Sequence, residues 1–151
     1  MSESTDRIEK QIVMKAPRAR VWRALADAGE FGRWFGCTFE GAFVPGATVR
    51  GKIAMGGKYD GAPIEIVIDR VEPESLFSYR WHPAAIDASV DYSGEPMTLV
   101  EMRLDDAPGG TRLTIVESGF DRIPIARRAD ALRMNTGGWA MQAERIAAYV
   151  A

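Results

Sequence analysis

The stretch IARRADALRMNTGGWAMQAERIAAYV, residues 125–150, decides the fold that this sequence predicts. Apolar or small side chains recur in it at alternating steps of four and three residues, which is the spacing of one helix face. This stripe consists of Ile125, Ala129, Leu132, Thr136, Trp139, Ala143, Ile146 and Val150. We therefore predict one long helix at the end of the chain, with the stripe facing a core.

Gly137 and Gly138 lie in the middle of this predicted helix. Because a glycine in a helix interior costs about 1 kcal/mol relative to alanine, the pair predicts a special role. One interpretation is a close approach of the helix to a neighbouring element, and the other is a kink that gates a cavity. The close approach predicts that leucine in place of Gly138 destabilises the fold.

Upstream of this helix the period of apolar residues changes to two, which is typical of β-strands. Alternating runs occur near residue 8 and between residues 37 and 118, and glycine- or proline-containing turns separate them. Short turns between consecutive strands favour an antiparallel meander. Residues 17–27 and a segment ending at Gly36 predict two short helices after the first strand.

The order of these elements predicts a single α+β domain over residues 1–151. It consists of one strand, two short helices, about six further strands and the long helix. We expect a curved sheet of about six or seven strands wrapped around that helix, with space between the two.

Composition excludes several classes of function. The chain has 151 residues, of which 46% are hydrophobic and 26% charged, as in an ordinary soluble globular protein. With a formal net charge of −2 it has no basic footprint for nucleic acid. Its tightest basic group, Arg127-Arg128, is expected on the solvated side of the long helix.

The location expected for this protein is the cytoplasm. Cys37 is the only cysteine, so no intrachain disulfide can form, which fits a reducing compartment. The polar start of the chain is unlike a signal peptide, and no apolar run is as long as a membrane span.

Several short segments, taken together in order and spacing, resemble a known family. They are Ala16-Pro17 with Val21-Trp22 and Leu25, Arg33-Trp34-Phe35-Gly36, Tyr79-Arg80-Trp81, Thr98-Leu99-Val100, Gly110-Thr111-Arg112-Leu113, Glu117-Ser118-Gly119-Phe120, and Asn135 with Gly138-Trp139. The chain resembles the SRPBCC/START superfamily, whose helix-grip fold is shared by START lipid-transfer domains and the birch pollen allergen. More specifically, it resembles the bacterial branch related to the activator of the heat-shock-protein-90 ATPase.

This resemblance implies a curved antiparallel sheet that grips the terminal helix, with a cavity for a small hydrophobic molecule. Some relatives are cyclases or hydratases, and the eukaryotic members activate a chaperone. The family has no single catalytic motif, so the fold alone implies no reaction.

Strand parity and the resemblance together give candidate ligand-binding residues. Alternate residues of a strand point to the same face, so the inner wall can be assigned by counting. The candidates are Trp34, Phe35, Met55, Ile66, Tyr79, Trp81, Met102, Ile115, Glu117, Asn135 and Trp139. The same lining also suits a filled core, and at this point both interpretations stay open.

Parity places the charged residue Glu117 on the inner wall, in line with Leu113 and Ile115. A buried carboxylate is costly unless it is paired or hydrogen-bonded. It could orient a polar group of a ligand or act as a general acid or base, or it could lie at the strand end and be satisfied there by solvent or an arginine.

Cofactors are not expected. His82 is the only histidine, and one histidine with one cysteine makes no recognisable zinc site or nucleophilic triad. The chain has no glycine-rich phosphate-binding motif. Asp87 and Asp91, in the long connection from Pro83 to Pro96, are more typical of a solvated acidic loop than of a cation site.

Three functions remain open. The favoured one is binding of a small hydrophobic molecule without catalysis, or with weak catalysis. The second is a cofactor-independent cyclase, hydratase or isomerase that uses Glu117. The third is a module that interacts with a chaperone. We also expect a homodimer, and neither nucleic acid nor membrane as a partner.

Overall fold

The computed structural model describes residues 6–85 and 89–151. The first strand is β1 (Arg7–Met14), and the two short helices are α1 (Arg18–Ala26) and α2 (Ala28–Phe35). Six strands follow, and a short 3-10 turn at Phe120–Arg122 precedes the long helix α3 (Ile125–Val150). These strands are β2 (Cys37–Phe39), β3 (Thr48–Ile53), β4 (Pro63–Glu72), β5 (Leu76–Trp81), β6 (Thr98–Ala107) and β7 (Gly110–Ser118).

All seven strands form one curved antiparallel sheet, with the order β1-β7-β6-β5-β4-β3-β2. From β2 to β7 each strand pairs with the next one in the chain, and β1 closes the far side by pairing with β7. A register shift between Ile68 and Arg70 bends β4 against β5, as β-bulges do. This confirms the predicted α+β helix-grip architecture, with two short helices after the first strand.

Local sequence explains where the short helices begin and end. Pro17 lies at the N-cap of α1, where its missing N–H is not needed. The carboxylate of Asp27 accepts a hydrogen bond from the Glu30 backbone N–H and so caps α2. Gly36 ends α2 with a positive φ of 94°, a conformation that glycine adopts at little cost.

The sheet buries one face against α2 and α3, and alternation is clearest in β7. There Thr111, Leu113, Ile115 and Glu117 are buried while the residues between them are half-exposed. Between sheet and helices lies a continuous cluster of aromatic rings whose neighbouring centroids are 4.7–6.2 Å apart. The rings belong to Phe31, Trp34, Phe35, Phe39, Phe43, Phe77, Tyr79, Trp81 and Trp139.

Three expectations about placement were wrong. The predicted stripe of α3 begins too early: Ile125 is 83% exposed and Ala129 is exposed, because the sheet covers α3 only from Ala131 onward. Met55 is 43% exposed and follows β3, which ends at Ile53, so it is not part of the inner wall.

The third wrong expectation is the close approach of α3 to a neighbouring element at Gly138. A Cβ atom at Gly137 or Gly138 would meet no heavy atom within 4 Å, so α3 makes no close approach there. The close approaches occur instead at Gly32, Gly51 and Gly110, where an added Cβ would run into a backbone carbonyl oxygen. Helical spacing marks a glycine as unusual, but it does not tell which neighbour faces it.

Candidate functional site

Glu117 lies fully buried on the inner face of β7 and is surrounded by hydrogen-bond donors. Its Oε2 accepts from Trp81 Nε1 at 2.7 Å and from Thr98 Oγ1 at 2.5 Å. Its Oε1 accepts from Trp139 Nε1 at 2.8 Å and from Asn135 Nδ2 at 2.9 Å. Strands β5, β6 and β7 and helix α3 thus meet at one carboxyl group.

The donor set matches the ionised form of this carboxyl group. An indole N–H can only donate, so Trp81 and Trp139 both require an acceptor oxygen. Each oxygen receives two donors, which fills about four acceptor positions of a carboxylate. Among the described residues no Lys or Arg forms an ion pair with Glu117, so four neutral dipoles stabilise its charge.

Beside this cluster lies an open cleft of about 450 Å³, which we name the mouth cleft. It lies between the start of β4, the end of β5, the described residues of the connection from β5 to β6 (82–85 and 89–97), and the middle of α3. Its walls are mostly apolar or aromatic. The described lining residues are Phe35, Ile53, Ala62, Pro63, Ile64, Glu65, Trp81, His82, Ala84, Ala85, Asp91, Tyr92, Ser93, Met134 and Asn135.

Trp81 and Asn135 connect the mouth cleft to the buried carboxylate, because each lines the cleft and also donates to Glu117. Glu117 itself does not line the cleft. The carboxylate therefore fixes the orientation of two cleft-lining side chains without being exposed to the cleft itself.

Arg127, at the start of α3, holds the connection that forms the outer wall of the cleft. Its guanidinium pairs with Glu95 at 2.6 Å and donates to the backbone oxygen of Pro83 at 2.9 Å. It also lies 4.8 Å from the ring centroid of Tyr92. The expectation that Arg127 points to solvent is therefore wrong: its side chain is 22% exposed and anchors a loop.

His82 is the titratable group at the inner end of this connection. Its Nδ1 is buried and has no hydrogen-bond partner among the residues that the structure describes. Burial lowers the pKa of His82 below its ordinary value, although the nearby carboxylate of Glu95 acts in the opposite direction. The imidazole is therefore neutral at neutral pH.

The candidate residues from sequence fall into four groups. Phe35, Trp81 and Asn135 line the mouth cleft, whereas Met55 lies outside it. Glu117 and Trp139 form the layer directly behind the cleft. The other candidates are buried in the core and do not line the cleft; they are Trp34, Ile66, Tyr79, Met102 and Ile115.

Tyr79 is fully buried, and its hydroxyl group has no hydrogen-bond partner in the described part of the chain. Burial, reinforced by nearby Glu117 and Cys37, raises the pKa of Tyr79 well above its ordinary value. This phenol therefore stays neutral and serves mainly as an apolar ring of the aromatic cluster.

Several cleft-lining residues were missed from the sequence. Ile64 shares a strand face with the candidate Ile66 but was not itself a candidate, and Met134 is a partly exposed residue that precedes Asn135 on α3. Tyr92 and Ser93 lie in the connection from β5 to β6, where no periodicity predicts orientation. Asp87, considered with Asp91 for a cation, lies outside the described residues.

A second groove, of about 460 Å³, is lined by residues of α2, β2 and α3. Arg33 and Arg145 are its charged lining residues, and small residues such as Gly32 and Gly36 form much of its floor. Cys37 also lines it, and burial raises the pKa of that thiol to about 12.

Neither a metal site nor a membrane span is found in the described part of the chain. Across residues 6–85 and 89–151, His, Cys, Asp and Glu side chains nowhere form a group of three that could hold a metal ion. Among the same residues, no helix combines the length and apolarity needed to cross a bilayer.

Comparison with known proteins gives one family and many similar folds. A family model described as "Activator of Hsp90 ATPase homolog 1-like protein" matches residues 15–151. MLL2253 from Mesorhizobium loti is similar over 95% of this chain and 95% of its own, with 21% identity and a TM-score of 0.73.

Two further solved structures extend this similarity. A protein from Arthrobacter aurescens matches over 99% of this chain and 89% of its own, with 18% identity and a TM-score of 0.79. The Aha1 dimer from Colwellia psychrerythraea matches over 90% and 89%, with 15% identity and a TM-score of 0.65. At these identities the likeness shows the fold alone. None of the curated proteins compared with this chain matches it.

Proposed function

We propose that this chain, which belongs to the Activator of Hsp90 ATPase homolog 1-like family, binds a small, mostly apolar molecule in the mouth cleft. The observation that carries the proposal is the cleft itself, with a volume of about 450 Å³. Sites for small molecules commonly have volumes of roughly 300–1,000 Å³ and combine apolar walls with a few polar groups. The walls here have that composition, since Phe35, Ile64, Trp81 and Met134 adjoin Asn135 and His82.

The buried carboxylate supports binding by keeping two contact residues in place. The hydrogen bonds from Trp81 and Asn135 to Glu117 hold the indole ring and the amide group in fixed orientations. A rigid, preorganised wall loses less conformational entropy when a ligand binds. Glu117 is therefore assigned a positioning role in the proposal.

Catalysis is not part of this proposal. Both oxygens of Glu117 are already occupied by donors, and a general acid or base must reach the reacting proton within hydrogen-bond distance. A chaperone partner and a homodimer stay predictions; the similar Aha1 protein from Colwellia psychrerythraea is a dimer.

The test uses a neutral aromatic molecule, 1-naphthylmethanol, and isothermal titration calorimetry. Met134 lines the cleft and is 40% exposed, so Met134→Trp should fill the cleft without disturbing the core. Met141 is 46% exposed on the same helix but does not line the cleft, so Met141→Trp is the matched control.

We expect the parent protein and the Met141→Trp variant to bind this alcohol with equal affinity and to gain thermal stability from it. Affinity of the Met134→Trp variant should fall at least about tenfold, or roughly 1.4 kcal/mol. Equal affinity of all three proteins, or no detectable binding to the parent, would contradict the proposed site.

A further inference from the structure

The charged groups that face the mouth cleft carry one sign. Glu65 and Asp91 are carboxylates, and neither Lys nor Arg occurs among the cleft-lining residues that the structure describes. Asp91 accepts a hydrogen bond from the Ser93 backbone N–H at 2.9 Å, which favours its ionised form. Glu65 is paired with Arg50 at 2.8 Å, so its charge is partly compensated.

Arg50 and Arg127, the two cations that pair with carboxylates at this end of the molecule, are both already engaged. Arg127 contacts Glu95 through three hydrogen bonds of 2.6–3.3 Å, and both side chains are about four-fifths buried. Such a fork-to-fork pair leaves little positive charge for a ligand. Asp91 is therefore the cleft-lining charge that no described Lys or Arg compensates, and it gives the cleft a negative potential.

The amide of Asn135 adds an acceptor. Its Nδ2 donates to Glu117, and a carboxylate can only accept, so the carbonyl oxygen Oδ1 must point away from Glu117. That oxygen receives no hydrogen bond from a described residue. The neutral imidazole of His82 adds no positive charge to the cleft, because burial lowers its pKa.

The mouth cleft is also lined by aromatic rings that can attract a cation. Trp81 and Phe35 line the cleft with ring centroids 6.0 Å apart. Indole and phenyl faces attract cations that lie within about 6 Å of the ring centroid. The guanidinium of Arg127, 4.8 Å from the Tyr92 ring centroid, shows this kind of contact at the outer wall of the same cleft.

We propose that the mouth cleft selects apolar molecules that carry a protonated amine and rejects their carboxylate counterparts. This selectivity rests on the proposed function, since it names the chemical class of the ligand for the same cleft. The ring system of such a ligand packs on Trp81, Phe35 and Met134. Its ammonium group lies toward Asp91 and the carbonyl oxygen of Asn135.

Three molecules with one ring system test the selectivity: 1-naphthylmethylamine, 1-naphthylmethanol and 1-naphthylacetate. Their affinities are measured by isothermal titration calorimetry at neutral pH, at low and at moderate ionic strength. We expect the amine to bind at least about tenfold more tightly than the carboxylate, with the alcohol between them. Salt should reduce the difference, because it screens the carboxylates of the cleft.

Charge-removing variants distinguish the effect of charges in the cleft on ligand affinity from the effect of the overall charge of the protein. Asp91→Asn and Glu65→Gln each remove one negative charge from the cleft lining. Asp105→Asn makes the same change on an exposed residue of β6, seven positions from Thr98 at the cleft end of that strand. We expect at least a threefold loss of amine affinity in Asp91→Asn, a smaller loss in Glu65→Gln, and none in Asp105→Asn.

The outcomes distinguish this inference from the function on which it rests. If none of the three naphthyl compounds binds, the proposed function is wrong as well. If all three bind and the carboxylate equals or exceeds the amine, the function stands and the charge selectivity is overturned. Equal losses of amine affinity in Asp91→Asn and Asp105→Asn would show that the preference for the amine comes from the net charge of the protein. That result would also overturn the proposed selectivity of the cleft.

Discussion

At the scale of single residues, Glu117 shows how a carboxylate can lie among aromatic rings without a cation beside it. An isolated buried charge would be very costly, and the usual remedy is a paired side chain. Here two indole N–H groups, one hydroxyl group and one amide group replace that partner. Hydrogen bonds to an ionised acceptor are stronger than those between neutral groups, which helps to offset the loss of water.

Replacing Glu117 by glutamine tests this arrangement. Glutamine has the same shape, but its NH₂ group would face two donors in place of an acceptor oxygen. Because leaving a buried donor unsatisfied costs about 1–3 kcal/mol, we expect Glu117→Gln to lower the free energy of unfolding by about 2–4 kcal/mol. The measurement is urea unfolding followed by circular dichroism.

Glu101→Gln is the control, since it makes the same change on a half-exposed residue of β6. That variant should differ from the parent by less than about 0.5 kcal/mol. An equal loss of stability in the two variants would mean that the four donors contribute nothing specific at Glu117.

The sequence predicted part of this cluster. Counting along β7 placed Glu117 on the inner face, and its complete burial confirms that orientation. The donors could not be derived in the same way, because they are separated from Glu117 by 18 to 36 positions in the chain. Their meeting depends on strand register and on the rotation of α3, which local patterns do not specify.

Cys37 gives a second prediction at this scale. Its burial raises the pKa of the thiol to about 12, so almost no thiolate exists near neutral pH. We expect the native protein to react with a disulfide reagent at least about a hundredfold more slowly than the denatured chain. Rapid labelling of native protein, absent from a Cys37→Ser variant, would contradict the burial of this residue.

At the scale of elements, the long helix was predicted correctly in extent, and its buried face was predicted correctly only for the C-terminal half. The residues of the predicted stripe from Trp139 to Val150 are buried in the core. Those before residue 131 are exposed. Helical periodicity records which residues share a face, but not how far the neighbouring sheet extends. The first turns of α3 use Arg127 instead to fix the connection between β5 and β6.

The two glycines of α3 provide a prediction opposite to the one made from sequence. Since a Cβ there meets no atom within 4 Å, Gly137→Ala and Gly138→Ala should each stabilise the protein by about 0.5–1 kcal/mol. Gly32→Ala is the matched control in α2, where the added methyl group would collide with the carbonyl oxygen of Cys37. We expect that variant to lose about 1–3 kcal/mol.

Thermal unfolding of the three variants under one set of conditions measures these differences. Loss of stability in the α3 variants would mean that the helix needs both glycines for a distortion. A fully stable Gly32→Ala variant would show that α2 can move away from the start of β2.

At the scale of the whole molecule, the order of the elements was sufficient to predict the sheet around the helix. Its consecutive antiparallel strands follow from short turns, and the structure confirms this topology. The sequence predicted the open volume between the sheet and the long helix, but Phe31, Phe77 and Tyr79 pack together in the space between sheet and helices. Strand parity tells which side chains point inward, but not how completely they fill the space. The open cleft lies instead at one end, where an aperiodic connection forms its wall.

The pH dependence of stability follows from the surroundings of His82. Burial lowers its pKa below 6.5, partly opposed by Glu95, Glu65 and Asp91, while Arg127 reinforces the lowering. The unfolded chain therefore binds this proton more readily than the native protein does. The contribution of His82 is fully present above pH 6.5 and is lost as the pH falls from 6.5 toward the lower native pKa.

We expect a His82→Gln variant to show a smaller fall in the free energy of unfolding than the parent over that interval. Urea unfolding at several pH values measures the difference. Parallel pH profiles for the two proteins would show that His82 has the same proton affinity in the native and unfolded states.

The donors around Glu117 also bear on the order in which the molecule assembles. Two of them, Asn135 and Trp139, belong to α3, which follows all seven strands along the chain and is therefore synthesised after them. Before α3 docks, Oε1 of Glu117 has only water to bind, and the inner face of the sheet has to stay hydrated around it. Docking of α3 is therefore the event that permits dehydration of the interior, so a chain whose sheet has formed without α3 in place stays open to chaperones and proteases.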